Sequence, residues 1–546
     1  MARIVARTPL MGRKASPPAR RRRCRGRPVV EPETPLHPCA ELFSIDAQPA
    51  LRPTDHPLAS ARPQDVGAIP PSNSNVEKTM KFRYFLYFAA LVSACSSPVE
   101  QDAEMVAQAA PVWPDVANVT VPRNLAPVRF VVDDDMPSQA IFTAVDQCCI
   151  VGEDDGQIAI APDDWKRLMA SGDSIVVRIQ SQKDDSHWIE YEPFAIKISA
   201  DSIDPFLTYR LIEPGYEVWS EMGIYQRDLT TYDEHALLEN SETNGGCMNC
   251  HTSHHNNGDT VLFHLRAEMA GTYIAHNGEA RRIAPKGIDP VPTLVYPAWH
   301  PTGRYVAFSS NRTKQAFHSS HRNRIEVFDT SSDLYIYEVE SQRLITRPTI
   351  HSNAAFETYP TFSPDGRWLY FCSADSLNVF AAYDSVRYSL CRVAFDADGA
   401  TIGQDVDTIF NARTQGRSAL FPRISPDGRW LLFTVADFGN FSIWHREADL
   451  HLLDLHTGQE VSAEALNSPE SESFHSWSSN GRWIVFSSRR MDGLYTRPYL
   501  AHVDADGQLS KPVVVPQSHA RFYQYSMKSY NVPEFSRSQS VKINIK

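Results

Sequence analysis

Four stretches of the chain share one alternation of polar and apolar positions. Tyr296 followed by PAWHPTGRYVAFSSNR, Tyr359 by PTFSPDGRWLYFCSAD, Phe421 by PRISPDGRWLLFTVAD and Phe474 by HSWSSNGRWIVFSSRR follow the same plan. An aromatic residue leads into a short loop that ends in Asp-Gly or its equivalent. Arg follows, then an apolar run that closes on Ser or Thr. The Gly tolerates a positive φ, so the Asp-Gly pair predicts a tight turn and the apolar run a strand leaving it. The glycines at 303, 366, 428 and 481 lie 63, 62 and 53 residues apart. A second apolar run follows in each copy: LYIYEV after Asp333, LCRVAF after Ser389, LHLLDL after Asp449 and LAHV after Tyr499. A period of this size predicts an array of similar β units that bury their faces against one another.

A fifth, degraded copy lies upstream. Gly258 stands five residues before Phe263, as Gly303 stands five before Phe308, and Gly271-Thr272-Tyr273-Ile274 supplies the second strand. By this alignment His254-His255-Asn256 takes the slot of Trp299-His300-Pro301. The repeated Ser-Pro-Asp-Gly-Arg-aromatic signature, over roughly residues 255–515, resembles the TolB-like family of β-propellers. The resemblance implies an all-β fold with blades of four antiparallel strands around a channel, about five to seven of them. The propeller is expected over 259–525, with a C-terminal tail over 526–546.

Ahead of the repeats, residues 122–240 read as a small β-rich domain. The run IVVRI after Ser174 and WIEYEPFAIKI after His187 are rich in β-branched and aromatic residues. Asp163–Ser171 has apolar residues at helical spacing and predicts one short helix. The adjacent Cys148 and Cys149 bridge each other only with strain, so they read as core or as partners of distant thiols. Cys372 and Cys391, on successive predicted strands, are expected as buried free thiols.

Composition changes the picture at the N-terminus. Residues 1–79 hold 13 of the 38 prolines and 13 Lys and Arg against 7 Asp and Glu, a charge of +6. With a net charge of −12 for the whole chain, the remainder carries −18, which argues against nucleic acid as a partner. The first 79 residues read as disordered or as an upstream stretch not normally translated. Met80-Lys81-Phe82-Arg83 opens a basic, then apolar, then small-residue order that ends in Val92-Ser93-Ala94-Cys95. Residues 80–95 resemble a bacterial lipoprotein signal, which implies cleavage before Cys95 and lipidation of its sulfur. A polar tether over 96–121 follows. The expected place is the cell envelope, facing the periplasm or on the outer membrane, held to a membrane by lipid.

Gly246-Cys247-Met248-Asn249-Cys250-His251 carries the candidate chemistry. Cys-x-x-Cys-His is the spacing that attaches one c-type haem: Cys247 and Cys250 as thioethers, His251 as proximal iron ligand. Export favours both haem attachment and disulfides. A structural zinc site would need a second Cys-x-x-Cys, and the chain has none. A Cys247–Cys250 disulfide is the alternative, and it leaves His251 unexplained. Met222 and His264 flank the motif and are the candidate distal ligands. The motif is expected on a loop, residues 241–258, entering the first blade beside the N-terminal domain. No Gly-x-Ser-x-Gly elbow or phosphate loop appears, and no catalytic residue is assigned.

The function expected is an exported, lipid-anchored protein with one covalent haem c. It would transfer electrons or sense through the haem, with the propeller as docking surface for a redox or envelope protein. The rival is a haem-free TolB-like interaction scaffold. A peroxidase-like haem enzyme would need an open distal side.

Overall fold

The computed structural model describes residues 98–213 and 221–545. The tract 1–79, the signal over 80–95 and Cys95 lie outside the described residues. Among the described residues no helix is long and apolar enough to cross a membrane.

The N-terminal part is one ten-stranded sheet. Its path runs Ala103–Ala109, His187–Glu192, Ser174–Asp184, Ser138–Ala144, Gln147–Asp154, Gln157–Ala159, Arg129–Val132, Val112–Trp113, and Phe194–Ser199 joins Thr120–Pro122 to it. Pro193, with no N–H to give, divides the predicted His187–Ser199 run into two strands. The predicted helix spans Pro162–Ser171 and begins with Pro and two acidic residues, which suit a helix start. It buries Trp165, Leu168 and Met169 on the sheet, and Trp165 donates to Leu125 O at 3.0 Å.

The rest forms six further sheets of four or five strands. In the third to sixth, the strands follow chain order and pair antiparallel. Their first strands are Val295–Trp299, Ala355–Phe362, Ser418–Ile424 and Glu472–Trp477. The second sheet starts with Met248–His254 and ends with the short Asn544–Ile545 strand. The first sheet draws on both ends of the described chain: Glu234–Glu239, Gly223–Asp228, Phe206–Ile212 and then Ser529–Ser536. Each first strand contacts that of the next sheet, and Ser529–Ser536 touches both Glu472–Trp477 and Met248–His254. The circuit is therefore closed, and the fold is all-β and propeller-like. Three expected boundaries move. The expected tether over 96–121 supplies Ala103–Ala109 and Val112–Trp113 to the N-terminal sheet. Residues 206–239 belong to this ring rather than to the N-terminal sheet, and the expected tail over 526–546 supplies its closing strand.

The repeated sequence acts as a turn latch. Ser363, Ser425 and Ser478 accept hydrogen bonds from Trp368 N, Trp430 N and Trp483 N at 3.0, 2.9 and 2.9 Å. Asp365, Asp427 and Asn480 accept from the N–H of the following Arg, each at 3.1 Å. Gly366 has φ +72°, and a Cβ there would lie 2.4 Å from the His300 ring of the preceding sheet. Only Gly meets both demands.

Six residues of the innermost strands share a left-handed backbone: Cys250, Tyr296, Tyr359, Phe421, Phe474 and Val532, with φ of 48–53°. Each sits at a break in the strand register, so each is a bulge. Four are followed by Pro297, Pro360, Pro422 and Pro533, and two by His251 and His475. Tyr296, Tyr359, Phe421 and Phe474 touch in succession, edge-to-face, tilted and edge-to-face, with ring centroids 4.7, 3.9 and 5.1 Å apart.

Cys372 pairs with Leu390, and Phe371 with Cys391. One step of register puts the two thiols on opposite faces of the sheet, in separate apolar clusters. Both are buried and free. Labelling of the unfolded, unreduced protein is expected to find both reactive; a protected pair would contradict this register.

The third sheet's long hairpin, Tyr305–Phe317 and Ile325–Glu338, reaches the fifth sheet's loop. Asp329 accepts from Asn311 and Asn440 at 2.7 and 2.5 Å. Burial pushes its carboxyl up to about 7 despite these bonds. A raised carboxyl favours the protonated fold, so its stabilisation is complete below about pH 4 and lost as pH rises to 7. At about 1.4 kcal/mol per unit, the loss is roughly 4 kcal/mol. Asp329→Asn is expected to gain that much more at pH 8 than at pH 4 in denaturant titrations. An equal effect at both pH values would refute it.

Candidate functional site

The approach to the motif is a short 3-10 turn, Asn240–Thr243, followed by Asn244 and Gly245 with φ +54° and +72°. A Cβ on Gly246 would meet Arg266 O at 2.8 Å and Thr243 O at 3.0 Å, so this turn needs its glycine. The chain then enters a strand. Met248 pairs with Leu265, Asn249 with His264 and Thr252 with Leu262, and the bulge at Cys250 lies between. The expected loop over 241–258 is therefore half turn and half innermost strand. Ladder pairing against the apolar run after Gly258 makes it so. The motif's neighbours come from the first, second and third sheets rather than from the N-terminal domain.

The structure brings Cys247, Cys250 and His251 together around one residue absent from the sequence reading, Arg210. Its guanidinium donates to Met248 O at 3.1 Å. Burial pulls its charged form down, and Cys247, Cys250, Arg266 and Tyr296 lie within its electrostatic reach. Both motif thiols are free and partly exposed. Burial pushes the Cys250 thiol up. Cys247 packs on the cluster of Met222, Met248 and Phe263, and its carbonyl accepts from Arg266 N at 2.8 Å.

His251 is 2% exposed. Burial, then Arg210, lowers its imidazole to about 4, so it is neutral at pH 7; the backbone of Thr208 and Val532 opposes this only weakly. Neither ring nitrogen has a well-formed hydrogen-bond partner. The backbone of Thr208 and Val532 lies beside the ring without forming a well-aligned bond, an uncommon state for a buried imidazole. The bulge offers a contrast at one nitrogen: His475, in the same place after Phe474, directs Nε2 to Leu432 O at 3.1 Å, while its Nδ1 has no partner.

The candidate distal residues are near in register but engaged elsewhere. Met222 is buried, and its Sδ accepts from Met248 N at 3.3 Å. His264, opposite Asn249, places Nδ1 2.9 Å from Thr272 Oγ1, and burial lowers it to about 4. The alignment of His254 with Trp299 shifts by one. His254 lies over Gly303 as His300 lies over Gly366, because the His255-Asn256 turn adds a residue; both have φ near +55°. Both His254 and His255 turn Nε2 to Pro301 O, at 3.4 and 2.6 Å. Among the described residues no group of three or more His, Cys, Asp or Glu gathers to hold a metal ion. The free thiols and the unpartnered imidazole nonetheless fit the donor set of a covalently held haem.

No family model matches the chain, and no curated protein matches it. Among solved structures it is similar to a Mycobacterium tuberculosis puromycin-hydrolyzing peptidase, at 12% identity and a TM-score of 0.33, over 76% of this chain and 57% of that one. It is also similar to an oligogalacturonate lyase in complex with manganese, at 11% identity and 0.34, over 57% of this chain and 74% of that one. A Vibrio parahaemolyticus oligogalacturonate lyase gives 11% and 0.31, over 70% and 94%. The chain spans little more than half the length of the peptidase.

Proposed function

We propose that the chain is an exported lipoprotein, anchored at Cys95, whose six ring sheets are the blades of a TolB-like propeller. In this reading Cys247 and Cys250 would hold one haem c and His251 would supply the proximal imidazole. The observation that carries it is the buried His251 ring with both nitrogens unpartnered beside two free thiols three residues apart. A haem bound there supplies reversible one-electron chemistry. The chain's own contribution is to keep the imidazole neutral by burial, to exclude water from it and to set the Arg210 charge beside it. The activity proposed is electron transfer or haem-based sensing in the cell envelope, with the propeller face meeting a redox or envelope protein.

A second reading rests on the bulge. Cys250-His251 occupies the place of Phe474-His475, where a buried imidazole sits with one nitrogen bonded and Nδ1 unpartnered and no Cys-x-x-Cys precedes it, so the motif also suits a haem-free interaction scaffold. The visible spectrum of protein from a host equipped for haem attachment separates the two. A haem that survives boiling in denaturant supports the first reading. Colourless protein from that host leaves the scaffold.

A further inference from the structure

The long hairpin of the third sheet meets its neighbours in a cluster of buried oxygen atoms. Six polar side chains gather there: Ser309, Asn311, Asp329 and Ser332 from the hairpin, Thr358 from the first strand of the fourth sheet, and Asn440 from the fifth sheet's loop. Ser309 Oγ donates to Asn311 Oδ1 at 2.6 Å, and Asn311 Nδ2 donates to Thr358 Oγ1 at 3.1 Å as well as to Asp329 Oδ2. Asn440 Nδ2 donates to the same Oδ2, so that oxygen holds two N–H groups. The other carboxyl oxygen, Asp329 Oδ1, has no partner. Asn440 Oδ1 and Ser332 Oγ have none either, although the Ser332 hydroxyl lies against the same carboxyl. Asp329, Ser332 and Asn440 are 2%, 1% and 3% exposed.

A flip of the Asn440 amide does not mend this, because it would set oxygen against Asp329 Oδ2. The residue is also held from behind: its carbonyl accepts from Tyr359 Oη at 2.6 Å, and Gly439 N donates to Val386 O at 2.9 Å. Farther along the hairpin, Glu326 meets His445 of the same loop at 3.2 Å. Three bare oxygens are thus fixed in place and kept from water, which costs free energy until something meets them. An all-oxygen donor set suits a hard cation. Asp329 is the one carboxylate of the six side chains, so it balances a single positive charge, and a divalent ion would leave charge buried.

We infer that Asp329 Oδ1, Asn440 Oδ1 and Ser332 Oγ bind a monovalent metal cation, sodium or potassium, where the third, fourth and fifth sheets meet. The site is independent of the haem reading. A proton on Asp329 competes for Oδ1, so the cation binds as the carboxyl, raised by burial to about 7, ionises. Among the described residues the titratable groups facing it are Tyr296, Tyr359 and Tyr388, whose phenols burial raises and which stay neutral from pH 5 to 8. The test compares thermal unfolding midpoints of the whole protein in NaCl, KCl and choline chloride at one ionic strength, which holds screening constant. At pH 8 sodium or potassium is expected to raise the midpoint by about 2–4 °C over choline, and the larger gain names the ion. At pH 5, with Asp329 protonated, the gain is expected to vanish. Asp329→Asn is expected to abolish it and Ser332→Ala to diminish it. The advantage of Asp329→Asn at pH 8 is then greatest in choline, because the cation offsets the ionised carboxyl of the wild type. Equal midpoints in the three salts at pH 8 would leave only a buried water at these oxygens and overturn the inference. A gain that persists in Asp329→Asn, or one that CaCl2 alone provides, overturns it as well.

Discussion

Protein truncated after Ser526 is expected to lose its cooperative unfolding transition and to bind hydrophobic dyes. The removed piece carries Ser529–Ser536, the innermost strand of the first sheet, and its six paired positions along Phe206–Ile212. It also carries Tyr530, Phe535 and Ile543, which are 2%, 0% and 3% exposed. Three buried apolar side chains contribute about 5–9 kcal/mol in all. Typical net stabilities are about 5–15 kcal/mol, before the lost ladder bonds and the two opened ring contacts are counted. Tyr209, whose ring lies 4.8 Å from that of Tyr530, would face water. Phe535→Ala is the milder form, expected to cost about 3–5 kcal/mol in denaturant unfolding. A truncated chain that melts as sharply as the full one would show that the ring does not depend on this strand.

The second large effect concerns the motif. In a host competent for haem attachment, Cys247→Ser and Cys250→Ser are each expected to leave at most one thioether, and the double variant none. A thioether survives denaturation, whereas an iron–imidazole bond does not, so a haem stain on a denaturing gel reads the covalent bonds alone. The reduced pyridine adduct should show both vinyl groups saturated in wild type and one restored in each single variant. His251→Ala is expected to leave poorly matured protein. Met222→Ala and His264→Ala report on the distal side through the low-spin spectrum. The two Cys variants should stay folded, because Cys247 and Cys250 are partly exposed and unbridged. A double variant that still stains would sink the assignment of these thiols.

The turns of the third to sixth sheets could be read in the sequence because one latch recurs: a Ser hydroxyl, an Asp or Asn acceptor and a Gly with positive φ. The second sheet was legible only in outline. Its turn carries His255-Asn256 in place of Pro-Thr or Pro-Asp, and that extra residue hid the match between His254 and His300. The closing strand was missed for a physical reason. No Asp-Gly turn leads out of it, and the strand it pairs with, Phe206–Ile212, lies more than 300 residues earlier in the chain. Val532-Pro533 was the available signal, since it repeats the bulge pair of Tyr296-Pro297, Tyr359-Pro360 and Phe421-Pro422. At the candidate site the motif was plain, but Arg210 was not. It sits on a distant strand without a recognisable spacing, and only the pairing of sheets brings it beside Cys250.

Completion of the first sheet by Ser529–Ser536 also sets a clock. A ring sealed by its final strand stays open while the chain is being made, because loop closure over so long a span must await both ends. A chain threaded outward in an unfolded state would thus arrive with Cys247, Cys250 and His251 already delivered and the ring still unsealed. On the haem proposal, an attaching enzyme would reach His251 in the interval before the closing strand docks, because the closed ring buries that imidazole while Cys247 and Cys250 stay partly exposed.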